Sequence, residues 1–267
     1  MAKIRTAAVA GLFYPAEPSV LAATLSQLLK QTEYDEKLQT PKVIIAPHAG
    51  YIYSGITAAR VYKQLKPSKD IIKRVVIFGP AHRVAFSGVA LSDADRFTTP
   101  LGDVDIDKSF NQQLLALDNV HILDQAHLQE HSLEVQLPFL QYLLSDFSII
   151  PIVAGHNSSK LVADILELVW GGSETLIVIS SDLSHFHDYQ TAQNIDKETT
   201  EAILDCNFNA IHPQQACGCF AINGLLRYAQ NHPLEASLID LRNSGDTAGD
   251  HDKVVGYAAF SFTEKAL

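Results

Sequence analysis

The sequence predicts an α/β fold: a single domain, residues 1–267, built on a central mainly parallel or mixed sheet with helices on both faces. Three observations carry this. Short apolar runs of strand length alternate with helical patterns along the chain. No break in composition, internal repeat or low-complexity tract divides it. Several of the apolar runs end in a proline or serine closely followed by a histidine, as expected where parallel strands deliver polar residues beyond their carboxyl ends.

The elements follow in order. Ala7 to Pro15 is an apolar, glycine-broken segment that reads as an arm, and a helix from Pro18 to Leu29 buries Leu21, Leu25, Leu28 and Leu29. The polar stretch Gln31 to Thr40 reads as a surface connection. Val43 to Ala46 is a strand that ends at Pro47-His48; after a glycine-punctuated turn, Ala58, Val61, Tyr62 and Leu65 mark one face of a helix. Arg74 to Gly79 is a second strand, ending in Pro80-Ala81-His82. Between Ser87 and Asp105 the short runs Val89–Leu91 and Val104–Ile106 predict a hairpin excursion that walls one side of a pocket. A helix near Ser109 to Leu117 and a strand from Val120 to Leu123 follow.

Glu130-His131-Ser132 is expected to open a helix with Leu133, Leu137, Leu140 and Leu144 on its buried face, kinked by Pro138. Next come a strand from Ser148 to Val153 and a helix from Lys160 to Val169, capped by Asn157 or Ser158. The strand Leu176 to Ile179 then ends in Ser180-Ser-Asp-Leu-Ser-His185. The rest reads as a helix from Tyr189 to Leu204, a loop through His212-Pro213 to Cys217-Gly218, a helix from Phe220 to Ala229, and strands Ser237 to Leu241 and Val254 to Phe262.

Composition narrows the function. With 267 residues, 47% hydrophobic and 19% charged, the chain can hide roughly 75% of its extended surface, so no structural metal or disulfide is needed. A formal charge of −10 argues against nucleic acid or an anionic membrane as partner. No run approaches the roughly 18 to 20 apolar residues of a spanning helix, and Met1 to Thr6 lacks the regions of a signal peptide, which predicts a cytoplasmic protein. Cys206, Cys217 and Cys219 are an odd number in a reducing compartment, which favours thiol chemistry or metal ligation over disulfides.

His48, His82 and the Asp182/His185 pair all lie just past strand ends, so three strands aim imidazoles the same way. Neutral imidazoles with an anionic ligand suit a transition metal; Asp182 and Cys217 are both candidates for the anion, and Cys217 precedes a helix start that favours a thiolate. Asp182 and His185 fit a general acid/base pair, with the carboxylate holding the ring's tautomer. Glu130 and His131 read as a helix cap or as support for the ligands. His187 reads as a rim residue, and His121, His127, His156, His212, His232 and His251 as ordinary structural histidines.

These residues resemble those of the MEMO family, whose prokaryotic members are called AmmeMemoRadiSam system protein B. The resemblance rests on Ala46-Pro-His-Ala-Gly-Tyr-Ile-Tyr-Ser-Gly55, Gly79-Pro-Ala-His82, Glu130-His-Ser-Leu-Glu134 with Leu137-Pro138, Ser180-Ser-Asp-Leu-Ser-His185, Cys217-Gly218 and Val254-Val-Gly-Tyr-Ala-Ala259. It spans nearly the whole chain. It implies a fold like that of the class III (LigB-type) extradiol dioxygenases, which bind non-haem iron(II) through two His and one carboxylate. It also implies His48, His82 and Cys217 as ligands of one transition metal ion, with His185 and Asp182 as the acid/base pair. Cys217 stands where the dioxygenase has a carboxylate, and a thiolate favours copper(I) or zinc while still admitting iron.

Two classes of function follow as expectations: a metal-dependent redox enzyme acting on a small molecule, and an accessory protein that handles metal or docks a peptide. For the second, the family name implies radical-SAM and AMMECR-type protein partners. A metal hydrolase is a third use of the same ligands.

Overall fold

The computed structural model describes residues 2–34 and 39–265, so part of the predicted Gln31 to Thr40 connection lies outside the described residues. Four parallel strands form the centre of the main sheet, in the order Val43–Ala46, Thr175–Ser180, Arg74–Pro80 and Ser148–Ala154. Antiparallel neighbours extend it: Val254–Glu264 beside Val43–Ala46, and Val89–Leu91 beside Ser148–Ala154. Leu234–Asn243 and His185–His187 pair with Val254–Glu264.

The central strands are apolar without interruption because both faces are covered. Ile44, Val75, Ile77 and Val178 face one core, packed with Leu21 and Leu25 of helix Pro18–Lys30, Val61 and Tyr62 of helix Tyr51–Lys63, and Leu140 of helix Leu137–Leu143. Ile45, Val76, Phe78 and Ile177 face the other, against Val162 and Ile165 of helix Ser159–Val169 and Ile222 and Leu225 of helix Cys219–Tyr228. This is the mixed α/β architecture that the sequence predicts. Among the described residues, no helix is long and apolar enough to cross a membrane.

Four local expectations change. Val89–Leu91 is no part of a separate hairpin: it joins the main sheet, between Ser148–Ala154 and Val120–Ile122. The hairpin is Arg96–Thr99 with Gly102–Asp105, and with Ile4–Arg5 it makes a second, three-stranded sheet. Glu130-His131-Ser132 opens no α-helix, since an irregular turn and a 3-10 turn, Glu134–Gln136, come first. Pro138 therefore falls in the first turn of Leu137–Leu143, where its missing N–H costs nothing, and no kink arises. The helix expected over Ser109 to Leu117 is a single turn, Asn111–Leu114. Ser158 does occupy an N-cap, but its hydroxyl donates to the Gly155 carbonyl instead of capping.

Register aligns the strand ends. Ala46 sits opposite Ser180, and Phe78 opposite Ile179, so the residues that follow each strand emerge together at one edge. The segment Glu130–Gln136 lies across that edge. It can approach because Gly79 has no side chain: a Cβ there would come within 2.6 Å of Ser132 Oγ. The arm then folds over the segment. Ala8 and Val9 donate backbone N–H groups to the Glu134 carboxylate at 2.8 and 3.0 Å, the Tyr14 hydroxyl donates at 2.5 Å, and Arg5 forms a buried ion pair with it.

Below the edge, Asp196 of helix Tyr189–Leu204 accepts the Ser184 N–H at 3.0 Å and so supports the turn that leads to His185. Burial pushes the Asp196 carboxyl up to about 6, against the pull of that hydrogen bond.

Glu134→Ala leaves the buried Arg5 with carbonyl acceptors but no counter-charge, so urea unfolding should show a loss of about 3–5 kcal/mol. For Asp196, a folded pKa above the unfolded one means that its proton favours the native state. That contribution is complete below pH 3.8 and lost as pH rises through about 6. The separation is worth about 3 kcal/mol. Asp196→Asn should therefore gain about 1–3 kcal/mol at pH 8 and almost nothing at pH 4, read from denaturation curves at the two pH values.

Candidate metal centre

Pro47 ends its strand and turns His48 into the interior, where the ring is 1% exposed. The His48 N–H donates to Asp182 Oδ1 at 2.8 Å, and Nδ1 lies 2.8 Å from Ser180 Oγ. From the neighbouring strand exit, His82 places Nδ1 2.8 Å from Glu130 Oε1 and donates its N–H to Glu130 Oε2 at 2.6 Å. Glu130 also accepts the N–H groups of His131 and Ser132, both at 2.9 Å. Burial opposes its charge, yet these hydrogen bonds win and hold the carboxyl at about 2. An ionised carboxylate only accepts, so His82 carries its proton on Nδ1 and leaves Nε2 free.

His131 joins them from the irregular segment. Its ring centroid is 4.6 Å from that of His82 and 5.4 Å from that of His48, and the Phe13 ring covers it at 4.6 Å. One donor atom from each of His48, His82 and His131 lies within 4.8 Å of the others, so the group could hold a metal ion. Burial, then the neighbouring His82, pushes His48 well below the usual histidine range. Burial, then His48, lowers His131 to about 4. Both rings are neutral at pH 7, the form that ligates metal. His131 Nδ1 is buried with no hydrogen-bond partner among the described residues, 3.4 Å from Glu130 Oε1.

Cys217 reaches the group from the His48 side. Its Sγ is 3.4 Å from His48 Nε2 and accepts the Asp182 N–H at 3.2 Å. Gly218 permits this approach, since a Cβ there would stand 2.7 Å from Ser181 Cβ. Cys217 lies outside the mutual 4.8 Å group. Burial, then the Asp182 carboxylate, pushes its thiol well up, so without a metal the sulfur keeps its proton.

The expected Asp182–His185 pairing does not form. His185 Nδ1 lies 2.8 Å from the Leu183 carbonyl, an obligate acceptor, so the backbone fixes this tautomer, while an oxygen of Asp182 serves the His48 amide. Burial pushes the Asp182 carboxyl up. His185 and Asp182 do face one cleft of about 430 Å³, together with His131, Phe13, Tyr53 and Tyr257. Phe186 stands at its rim, exposed, with a left-handed φ of 61°. Sequence reasoning placed Glu130 and His131 near the ligands but missed His131 as a donor; its signal was a third histidine within a motif already rich in buried polar residues.

The family model described as Memo-like protein matches residues 5–261. A MEMO1 family protein of Aquifex aeolicus is 36% identical, covering 97% of this chain and 99% of its own. Another, of Archaeoglobus fulgidus, is 35% identical, covering 95% of this chain and 97% of its own. In fold alone, the chain is similar to the crystal structure of uncharacterized protein JW3007 from Escherichia coli K12. That likeness has a TM-score of 0.55 at 11% identity and covers 84% of this chain and 100% of the other. The chain belongs to the Memo-like protein family.

Proposed function

We propose that this protein binds one transition metal ion at His48 and His82, completed by His131 and Cys217, and uses it for redox chemistry on a small molecule in the adjoining cleft. The observation that carries this reading is the convergence of three imidazoles, one buried, one half-buried and one exposed, beside a cleft of about 430 Å³. Cys217 is spaced from His48 as two donors of one ion would be. Ligand distances of about 2.3 Å for sulfur and 2.0–2.1 Å for nitrogen put the two donors about 3.5 Å apart in a tetrahedral site, and the pair stands at 3.4 Å.

A bound ion of this kind supplies Lewis acidity and, if iron or copper, electron transfer. The chain's own residues do the rest. Glu130 orients His82, Phe13 and Tyr257 restrict water, and His185 offers a free Nε2 to take or give a proton in the cleft. The fold that the family resemblance implies, that of the LigB-type dioxygenases, suits oxidation of a small molecule.

The number of donors favours a second reading. Four protein ligands would close the site, as in metal-handling or structural centres, whereas three leave a position open to substrate. An accessory protein is the natural owner of a closed site.

Purified protein is expected to carry about one metal per chain, and His48→Ala or His82→Ala to reduce that to near zero by elemental analysis. Full occupancy in both variants sinks the ligand assignment. His131→Ala and Cys217→Ala, compared side by side, count the donors: loss of metal in both marks a closed four-donor site. Oxygen uptake by metal-loaded protein with a panel of catechols supports the enzyme, with His185→Ala slowing it by about 10²–10⁴-fold. No uptake, with His185→Ala indistinguishable, supports the accessory reading.

A further inference from the structure

The proton on His48 can be located by following hydrogen bonds away from the metal centre. His48 Nδ1 meets Ser180 Oγ at 2.8 Å, a contact in which either atom could donate. The ambiguity is resolved two residues away. The amide nitrogen of Gln136 lies 3.0 Å from the Pro47 carbonyl and 2.7 Å from Ser180 Oγ. A carbonyl can only accept, so this end of the Gln136 side chain is its NH₂ group, and its second hydrogen points at Ser180. The opposite end, Oε1, takes the Tyr62 hydroxyl hydrogen at 2.8 Å, which fixes the amide in that orientation.

Ser180 is left with one hydrogen and a neighbour that must receive it. Its Oγ stands 2.6 Å from the Ser132 carbonyl, again an obligate acceptor. With its hydrogen given to Ser132 and one lone pair filled by Gln136, Ser180 has a single lone pair for His48. Turning the hydroxyl toward His48 would strip the buried Ser132 carbonyl of this donor. Ser180, Ser132 and Gln136 are each fully buried, so water does not readily substitute.

We infer that Ser180, oriented by Gln136 and Tyr62, is a positioning residue that holds His48 in its Nδ1–H tautomer and so directs the Nε2 lone pair toward the metal site. The consequence for binding rests on the proposed metal function; the tautomer does not. His82 reaches the same state through the Glu130 carboxylate, so two unlike partners, a neutral hydroxyl and an anion, prepare two adjacent ligands in one form. A supporting hydrogen bond to a ligating histidine typically contributes 10–100-fold in metal affinity.

The test uses full-length, metal-free protein with ¹⁵N-labelled histidine. His48, assigned by comparison with His48→Gln, should show a protonated Nδ1 and an unprotonated Nε2. Ser180→Ala should abolish that exclusive tautomer and weaken Zn²⁺ or Co²⁺ binding by about 10–100-fold in competition with a chelator. Ser180→Thr, which restores a hydroxyl, should recover both. A wild-type His48 protonated on Nε2 overturns the inference, and that spectrum decides even where Ser180→Ala fails to fold. An unchanged tautomer in a folded Ser180→Ala protein overturns it too. Wild-type protein with the Nδ1–H tautomer but no affinity for either ion overturns the metal function and leaves the tautomer assignment standing.

Discussion

Glu134 is fully shielded from solvent and paired with Arg5, and two amides of the arm and the Tyr14 hydroxyl complete its surroundings. A buried ion pair of this kind contributes little net stability over an apolar replacement, because desolvation offsets attraction. What it does here is select one arrangement. The carboxylate has all four of its interacting groups only when the arm lies across the segment Glu130–Gln136, and only then does Phe13 cover His131. The same segment sends Glu130 to His82, Ser132 to the Pro80 carbonyl and Gln136 to Pro47 and Ser180. Four polar side chains, all buried, thus lock three strand ends and the arm into one geometry.

Much of this was legible in the sequence, for a physical reason. A strand buried on both faces is a continuous apolar run, and Val43–Ala46, Arg74–Pro80 and Thr175–Ser180 announce themselves that way, with His48 and His82 just beyond two of them. Helical stripes such as Ala58, Val61, Tyr62 and Leu65 are as plain, and all four are buried. The segment Glu130–Gln136 is different. It has no period, its polar side chains point inward, and its shape depends on partners more than a hundred residues away, so neither His131 as a donor nor the starting role of Pro138 could be read from local pattern. Three-residue runs such as Val89–Leu91 fit either sheet equally well, and only the long-range pairing decides. Asp182 and His185 show the opposite error: nearness in sequence suggested a pair, but the chain turns so that the Leu183 carbonyl reaches the ring first.

The electrostatics of the centre run against those of the chain. The protein carries a formal charge of −10, yet the centre holds neutral imidazoles and a protonated thiol. Glu130 supplies the fixed negative charge, one residue behind the ligands. Any cation entering would find lone pairs already exposed on the rings but would have to displace the proton of Cys217, so that binding through sulfur releases acid and binding through nitrogen alone does not.

The arm has a consequence for how the chain is made. The groups that meet at Glu134 are 120 to 126 residues apart in sequence. At about 5–20 residues per second, the ribosome delivers Glu134 about 6–25 s after the arm has emerged. Throughout that interval the Ala8 and Val9 amides and the Tyr14 hydroxyl lack their carboxylate acceptor. Roofing of the pocket therefore waits on the synthesis of Glu130–Gln136, long after the arm itself.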